Sequence, residues 1–244
     1  MATLRCRDLT FFSIAAVIFD KDGTLADSQA YLRNLGMRRS RLIDAKVPGV
    51  GEPLLMAFGI GENGINPAGM MAVGSRRDNE IAAAAYIAET GRDWMEALAI
   101  AQASFAEADR YLQPKAPQTP LFPGTLELLR SLRSAKLKLA ILSADTTANV
   151  QEFVQHYALD VDAAIGTDDN LGKPNPQFLQ RAGDAIDVPC AQMLIVGDSI
   201  ADIELARLAG AAGAIGVTWG WTSAQYLIGA DIMIDQFAQI EVLE

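Results

Sequence analysis

Cysteine occurs only twice and histidine once in the 244 residues. Cys6 and Cys190 are too few and too far apart for a disulfide framework or a four-ligand zinc site, so a reduced, cytoplasmic protein is expected. Long apolar runs are missing too. The longest one near the start, residues 11–19, is interrupted only by Ser13 and runs straight into Asp20-Lys21-Asp22, without the small-residue cleavage pattern of a secretory signal. No stretch approaches the ~20 apolar residues of a membrane span, and a soluble chain is expected. Basic residues are in the minority: 20 Lys and Arg against 30 Asp and Glu leave a net charge of −10. That deficit argues against nucleic acid, since non-specific duplex binding needs a basic footprint. It also raises the question of how such a chain would receive an anion.

What is present reads as globular: half the residues are hydrophobic and a fifth are charged. The length falls between one domain and two. Residues 15–19 form a short apolar run ending at a polar turn, the pattern of a buried strand. Residues 28–46 have helical character. Residues 48–75 are rich in glycine and proline and read as short helices and loops, followed by helices over 76–90 and 93–112. Pro114, Pro117, Pro120 and Pro123 then mark a stiff boundary. Beyond it helices (125–135, 148–156, 176–186, 200–209) are interspersed with strands (137–142, 193–196, 214–217, 232–234). This texture predicts an α/β fold: a Rossmann-like doubly wound parallel sheet from residues 1–26 and 120–244. An all-helical domain, residues 27–119, is inserted after the first strand. Ligands of such sheets bind at the carboxyl ends of the strands.

Chemistry-bearing residues stand at those ends: Asp20-Lys21-Asp22-Gly23-Thr24 after the first strand, Ser143-Ala144-Asp145 after the second, Lys173 before the helix at Pro176, and Asp198-Ser199-Ile200-Ala201-Asp202 after the strand at Met193. Phosphoryl transfer needs an in-line nucleophile and positive charge to offset the equatorial oxygens. Mg²⁺ takes hard oxygen ligands; Asp20 and Asp198 can supply them. Ser143 and Lys173 can hold phosphoryl oxygens, and Asp22 can protonate a leaving alkoxide and later deprotonate water. An aspartate nucleophile passes through an aspartyl-phosphate. Asp20-x-Asp22-Gly23 is not an EF-hand, because Leu25 and Tyr31 stand where its Gly and Glu belong.

The set Phe19-Asp-Lys-Asp-Gly-Thr-Leu-Ala-Asp-Ser28, Ser143, Lys173-Pro-Asn-Pro176 and Gly197-Asp-Ser-x-x-Asp202 resembles the haloacid dehalogenase-like hydrolase superfamily. The insert and the 217–231 tail resemble its phosphoglycolate-phosphatase-like branch, and the insert its cap domain. The resemblance implies that Asp20 is nucleophile and metal ligand, and that Asp22 is acid/base and a metal ligand through its carbonyl. Asp198 would bind Mg²⁺ with Asp202 supporting the metal shell. Ser143, Ala144, Lys173 and Thr24 would bind phosphate, with Thr24 also steadying the catalytic turn. Lys21 stands where an apolar residue is commoner, and is expected either to add local positive charge or to face solvent.

Within the superfamily, a dehalogenase lacks the second aspartate, present here as Asp22. A phosphonatase needs a cap lysine, for which Lys46 and Lys115 are misplaced, and a sugar-phosphate mutase has a cap histidine, whereas His156 falls in a core helix. The expected activity is therefore Mg²⁺-dependent hydrolysis of a small-molecule phosphomonoester, phosphoglycolate-like or a sugar phosphate, by a monomer or homodimer. A phosphomutase and a non-catalytic phosphate-binding module are the alternatives. Gly59-Ile-Gly61-Glu-Asn-Gly64 fits a dinucleotide fingerprint but lacks the surrounding βαβ unit, and reads as a loop. The stretch through Arg76 is expected to fold over the site, and Arg33, Arg38, Arg39, Arg41 and Lys46 to form a basic helix face. Trp219, Trp221 and Met70-Met71 are expected to be packing residues.

Overall fold

A computed structural model of the protein describes residues 1–62, 64–169, 171–221 and 227–243. The chain divides into two units, Met1–Ser28 with Thr119–Glu244, and Gln29–Gln118.

The first unit starts with β1 (Ala2–Cys6), β2 (Leu9–Ile14) and β3 (Ala16–Phe19). The apolar run at 11–19 is thus two strands. Ser13 takes a left-handed backbone, φ 58°, and the chain passes from an antiparallel sheet into a parallel one.

The second unit carries α1 (Gln29–Asp44), α2 (Gly51–Ala57), β4 (Ile60–Gly61), β5 (Gly64–Ile65), α3 (Met70–Val73), α4 (Arg76–Glu89) and α5 (Trp94–Leu112). The expectation of an all-helical insert is corrected by β4 and β5, which pair antiparallel with Gly61 opposite Gly64. That pairing puts the GxGxxG stretch in a two-stranded turn and opens no helix on it; its Asn63 lies outside the described residues. Ser75 caps α4 through a reciprocal bond with Asp78, and Asp93 caps α5. Inside this unit Asp109 joins Arg39, 3.1 Å away, to Arg76, and Phe58 meets Phe105 edge-on.

The first unit resumes with α6 (Thr125–Ser134), β6 (Lys138–Leu142), α7 (Thr147–His156), β7 (Ala163–Ile165), α8 (Pro176–Ile186), β8 (Met193–Gly197), α9 (Ile200–Ala209), β9 (Gly213–Val217), β10 (Ile232–Ile234) and β11 (Ile240–Leu243). Six strands form a parallel sheet in the order β10-β9-β8-β3-β6-β7. β3, β6 and β8 are buried on both faces, which explains why they read as continuous Val/Ile/Leu/Ala runs. Ala16, Ile18, Ala140, Leu142, Met193 and Ile195 face Phe178 and Leu179 of α8 and Leu205 of α9 in one cluster. Each buried Ile, Leu, Met or Phe among them contributes about 1.5–3 kcal/mol. A second sheet, β11-β1-β2, is antiparallel and ties the start of the unit to its end.

The parallel sheet winds outward from β3 through β6 to β7, then returns to the other side of β3 with β8. The order reverses between β3 and β8, and the crevice beyond their carboxyl ends is where a doubly wound sheet binds ligands.

Candidate active site

Register builds the site. Phe19 of β3 pairs with Val196 of β8 and with Ile141 of β6. Asp20 therefore leaves the sheet beside Gly197-Asp198, its N–H donating to the Val196 carbonyl at 2.9 Å. Ser143 leaves two residues beyond Ile141, buried, and its Oγ accepts the Asp145 N–H at 3.1 Å. The chain after Asp20 folds into a tight turn around the Lys21 carbonyl, which accepts the N–H groups of Leu25 and Ala26 at 3.0 and 2.9 Å. Gly23 takes φ 89° in this turn, and a Cβ there would lie 2.2 Å from Asp198 Oδ2; only glycine allows both. Lys173 is carried in by the loop preceding α8, whose start is set by the Asn175 cap and Pro176.

These loops bring Asp20, Asp198 and Asp202 together, with carboxylate oxygens within 4.8 Å of one another. Lys173 Nζ lies 2.5 Å from Asp20 Oδ1 and 2.6 Å from Asp202 Oδ1. Asp20, Asp198 and Asp202 are buried, and the Lys173 side chain is 7% exposed. Burial pushes the Asp20 carboxyl up to about 6, against the Lys173 charge that lowers it and the Asp202 charge that raises it further. Asp198 is also held well above its ordinary value by burial and by the charges of Asp20 and Asp202. Burial alone would depress the Lys173 ammonium, but the charges of Asp20 and Asp202 carry it above its usual range. Among the described residues, three buried carboxylates thus face one cation, Lys173.

Residues 14–210 match the family model of haloacid dehalogenase-like hydrolases. The chain belongs to this family. It is 27% identical to a phosphoglycolate phosphatase of Caulobacter vibrioides over 231 residues, covering 93% of this chain and 89% of that one. It is also 27% identical to an N-acetylmuramic acid 6-phosphate phosphatase of Pseudomonas putida, over 91% of this chain and 92% of the other. The crystal structure of a predicted phosphoglycolate phosphatase from Haemophilus somnus 129PT has the same fold, with a TM-score of 0.68 at 20% identity over 93% of this chain and 96% of that one.

The carboxylate cluster of this haloacid dehalogenase-like hydrolase suits a hard divalent cation. Asp202 Oδ1 is buried and lies near Lys173, yet receives no hydrogen bond of normal geometry. The excess negative charge, carried on oxygen alone, is the donor chemistry Mg²⁺ takes. Asp22 is arranged differently. Its carboxylate turns to the Ser28 hydroxyl and, at 2.6 Å, to Lys21 Nζ.

Several residues have roles the sequence did not reveal. The Thr24 hydroxyl, placed by sequence beside the phosphate group, is fully buried and donates to Asp198 Oδ1 at 3.1 Å. Trp221, expected to pack, donates its indole N–H to Asp198 Oδ2, and Trp219 donates to the Thr24 carbonyl at 3.0 Å. Their only sequence signal is their place beside Gly220 after a strand. Lys21 does not face solvent: it is 1% exposed. Arg76 opens α4, in line with the helix expected over 76–90, and is bonded to Glu80 and Asp109 in its own unit. Arg39 likewise is a buried partner of Asp109 rather than part of an open basic face. His156 packs edge-on against Tyr157, and Met71 is buried in the second unit.

Proposed function

We propose that this hydrolase is a Mg²⁺-dependent phosphatase of small-molecule phosphomonoesters, working through a phosphorylated Asp20. The observation that carries the reading is the junction of Asp20, Asp198, Asp202 and Lys173 at the reversal point of the sheet. The names of the relatives, phosphatases of phosphoglycolate and of an amino-sugar 6-phosphate, support the substrate class.

Asp20 and Asp198, with Asp202 behind them and the Asp22 carbonyl beside them, would hold the cation. When bound, Mg²⁺ supplies positive charge that offsets the phosphoryl oxygens and the nucleophile. Lys173 engages Asp20 Oδ1; one oxygen of the Asp20 carboxylate attacks phosphorus while the other would hold the cation. Ser143 and the backbone of Ala144 bind phosphoryl oxygens with Lys173. As the ester P–O bond breaks, Asp22 gives its proton to the leaving alkoxide. Asp22 then takes a proton from the water that attacks phospho-Asp20, releasing phosphate and restoring the Asp20 carboxylate. In this reading residues 27–119 are the insert that selects the substrate, and the catalyst is cytoplasmic. Among the described residues no helix is long and apolar enough to cross a membrane.

A phosphate-release screen with Mg²⁺ over phosphoglycolate, sugar phosphates and nucleotides tests this. Release from one small ester is the expected result. Isomerisation of a sugar phosphate without release would replace the reading with a mutase, and binding without turnover would replace it with a phosphate-binding module.

A further inference from the structure

Lys21 is among the largest fully enclosed side chains of the protein, at 1% exposure. A lysine is almost never buried so completely unless it is paired. Its Nζ lies 2.6 Å from Asp22 Oδ2 and 3.2 Å from Asp145 Oδ2, and 5.6 Å from the centre of the Phe153 ring. The two carboxylates belong to different loops, one after β3 and the other after β6. Each is fixed on its far side as well. Asp22 Oδ1 accepts the Ser28 hydroxyl. Asp145 Oδ1 accepts the Asn149 amide at 2.7 Å and the Thr146 N–H at 2.8 Å. The Asp145 N–H in turn donates to Ser143 Oγ at 3.1 Å.

A buried cation between two carboxylates is a poor way to gain stability, because desolvation offsets most of the attraction. A methionine would fill the slot against Phe153 but would leave Asp22 and Asp145 without their shared cation. What the lysine adds is geometry: its ammonium fixes Asp22 and the Ser143 loop relative to each other across two strand ends. We propose that Lys21 is a positioning residue that aims the Asp22 carboxyl at the leaving oxygen and registers it against the phosphate held by Ser143, with Asp145 as its anchor. The assignment rests on the phosphatase reading and adds a residue to it.

Misplacing the acid matters most when the leaving group is a poor one, since a nitrophenolate departs without a proton and an alkoxide does not. The test compares kcat/KM, which reports the step that forms phospho-Asp20 and releases the alcohol, for 2-phosphoglycolate and 4-nitrophenyl phosphate in Lys21→Met and Asp145→Asn. Lys21→Met is expected to cut kcat/KM on phosphoglycolate by about 30-fold or more and on the nitrophenyl ester by less than about 5-fold, because correctly placed acid catalysis is worth about 10²–10⁴. Hydrolysis of phospho-Asp20 is common to both esters, so any loss there lowers kcat alike for the two and leaves this ratio untouched. Asp145→Asn, which keeps the shape of the side chain, should show the same asymmetry on a smaller scale. The double variant should be no worse than Lys21→Met alone, as expected of residues acting in one network.

Equal losses on both esters, or losses that multiply in the double variant, would overturn the assignment. If Lys21→Met does not fold, Asp145→Asn decides by the same asymmetry. Wild-type failure on every phosphate ester would overturn the phosphatase reading and this assignment with it; wild-type turnover with symmetric losses overturns only the role of Lys21.

Discussion

The indole N–H of Trp221 is bonded to Asp198 Oδ2, while the Thr24 hydroxyl holds the other oxygen of the same carboxylate. Asp198 is therefore fixed from both sides. One donor comes from the turn after β3, the other from the segment after β9. Trp221→Phe keeps the ring and removes the donor. Losing one hydrogen bond to a buried charged group costs about 1.5–3 kcal/mol. Mg²⁺ affinity should fall by roughly 10-fold or more on that scale, with the fold intact by circular dichroism. Metal titration of activity checks it, and an unchanged Mg²⁺ requirement would remove Trp221 from the site.

Gly23 combines a left-handed backbone with a Cβ position 2.2 Å from Asp198 Oδ2, and Gly220 has a Cβ position 2.1 Å from the Gly23 carbonyl oxygen. Alanine at 23 should displace Asp198; alanine at 220 should displace the turn itself, because the obstacle is backbone. Both variants should lose most activity, and each should lower the melting temperature, since strain and overpacking cost about 1–3 kcal/mol. Wild-type activity in Gly220→Ala would mean that this contact relaxes freely.

Asp20 is held at about 6, above its ordinary value of 3.8, chiefly by burial. The native state of the metal-free protein therefore keeps a proton that the unfolded chain has already lost between those values. By linkage, stability falls as pH rises through this window, and the contribution is lost above about 6. Asp198 acts in the same direction. Thermal melts in EDTA should show the decline, and added Mg²⁺ should restore more stability at pH 7.5 than at pH 5. Asp20→Asn should abolish turnover while making the metal-free protein at least as stable as wild type at neutral pH. A metal-free stability that rises across this range would contradict the burial argument.

In the second unit, Asp109 is the common partner of Arg39 and Arg76. Asp109→Ala would leave the Arg39 guanidinium buried beside Phe105 without its carboxylate. Removing one partner of a buried ion pair costs about 3–5 kcal/mol. Calorimetry should report a loss of that order. A loss below about 1 kcal/mol would place the pair with ordinary surface bridges.

The parallel sheet was legible because its strands are buried on both faces and so read as unbroken apolar runs; the acidic residues that end β3 and β8 stand out against them. The antiparallel sheet β11-β1-β2 was not. It joins residues more than two hundred positions apart, such as Thr3 and Leu243, and Ser13 hides the division between β2 and β3 inside one apolar run. β7 has three residues, too short for a pattern. In the second unit, β4 and β5 of two residues each escape detection for the same reason.

Sequence by itself determined which side chains stand at the carboxyl ends of which strands, since a strand that stops at a polar turn must present the next residues at the sheet's edge. That was enough to assemble Asp20, Ser143, Lys173 and Asp198 as one chemical set. Only the tertiary structure decided where the side chains point. Lys21 turns inward to join two loops, and Trp221 reaches Asp198 across the end of the sheet. Direction out of a turn depends on its dihedral angles and on long-range packing, neither of which leaves a local mark in the chain. In the proposed reading a net charge of −10 is compatible with an anionic substrate, because three carboxylates gathered at one point, with Lys173 among them, would hold a cation there.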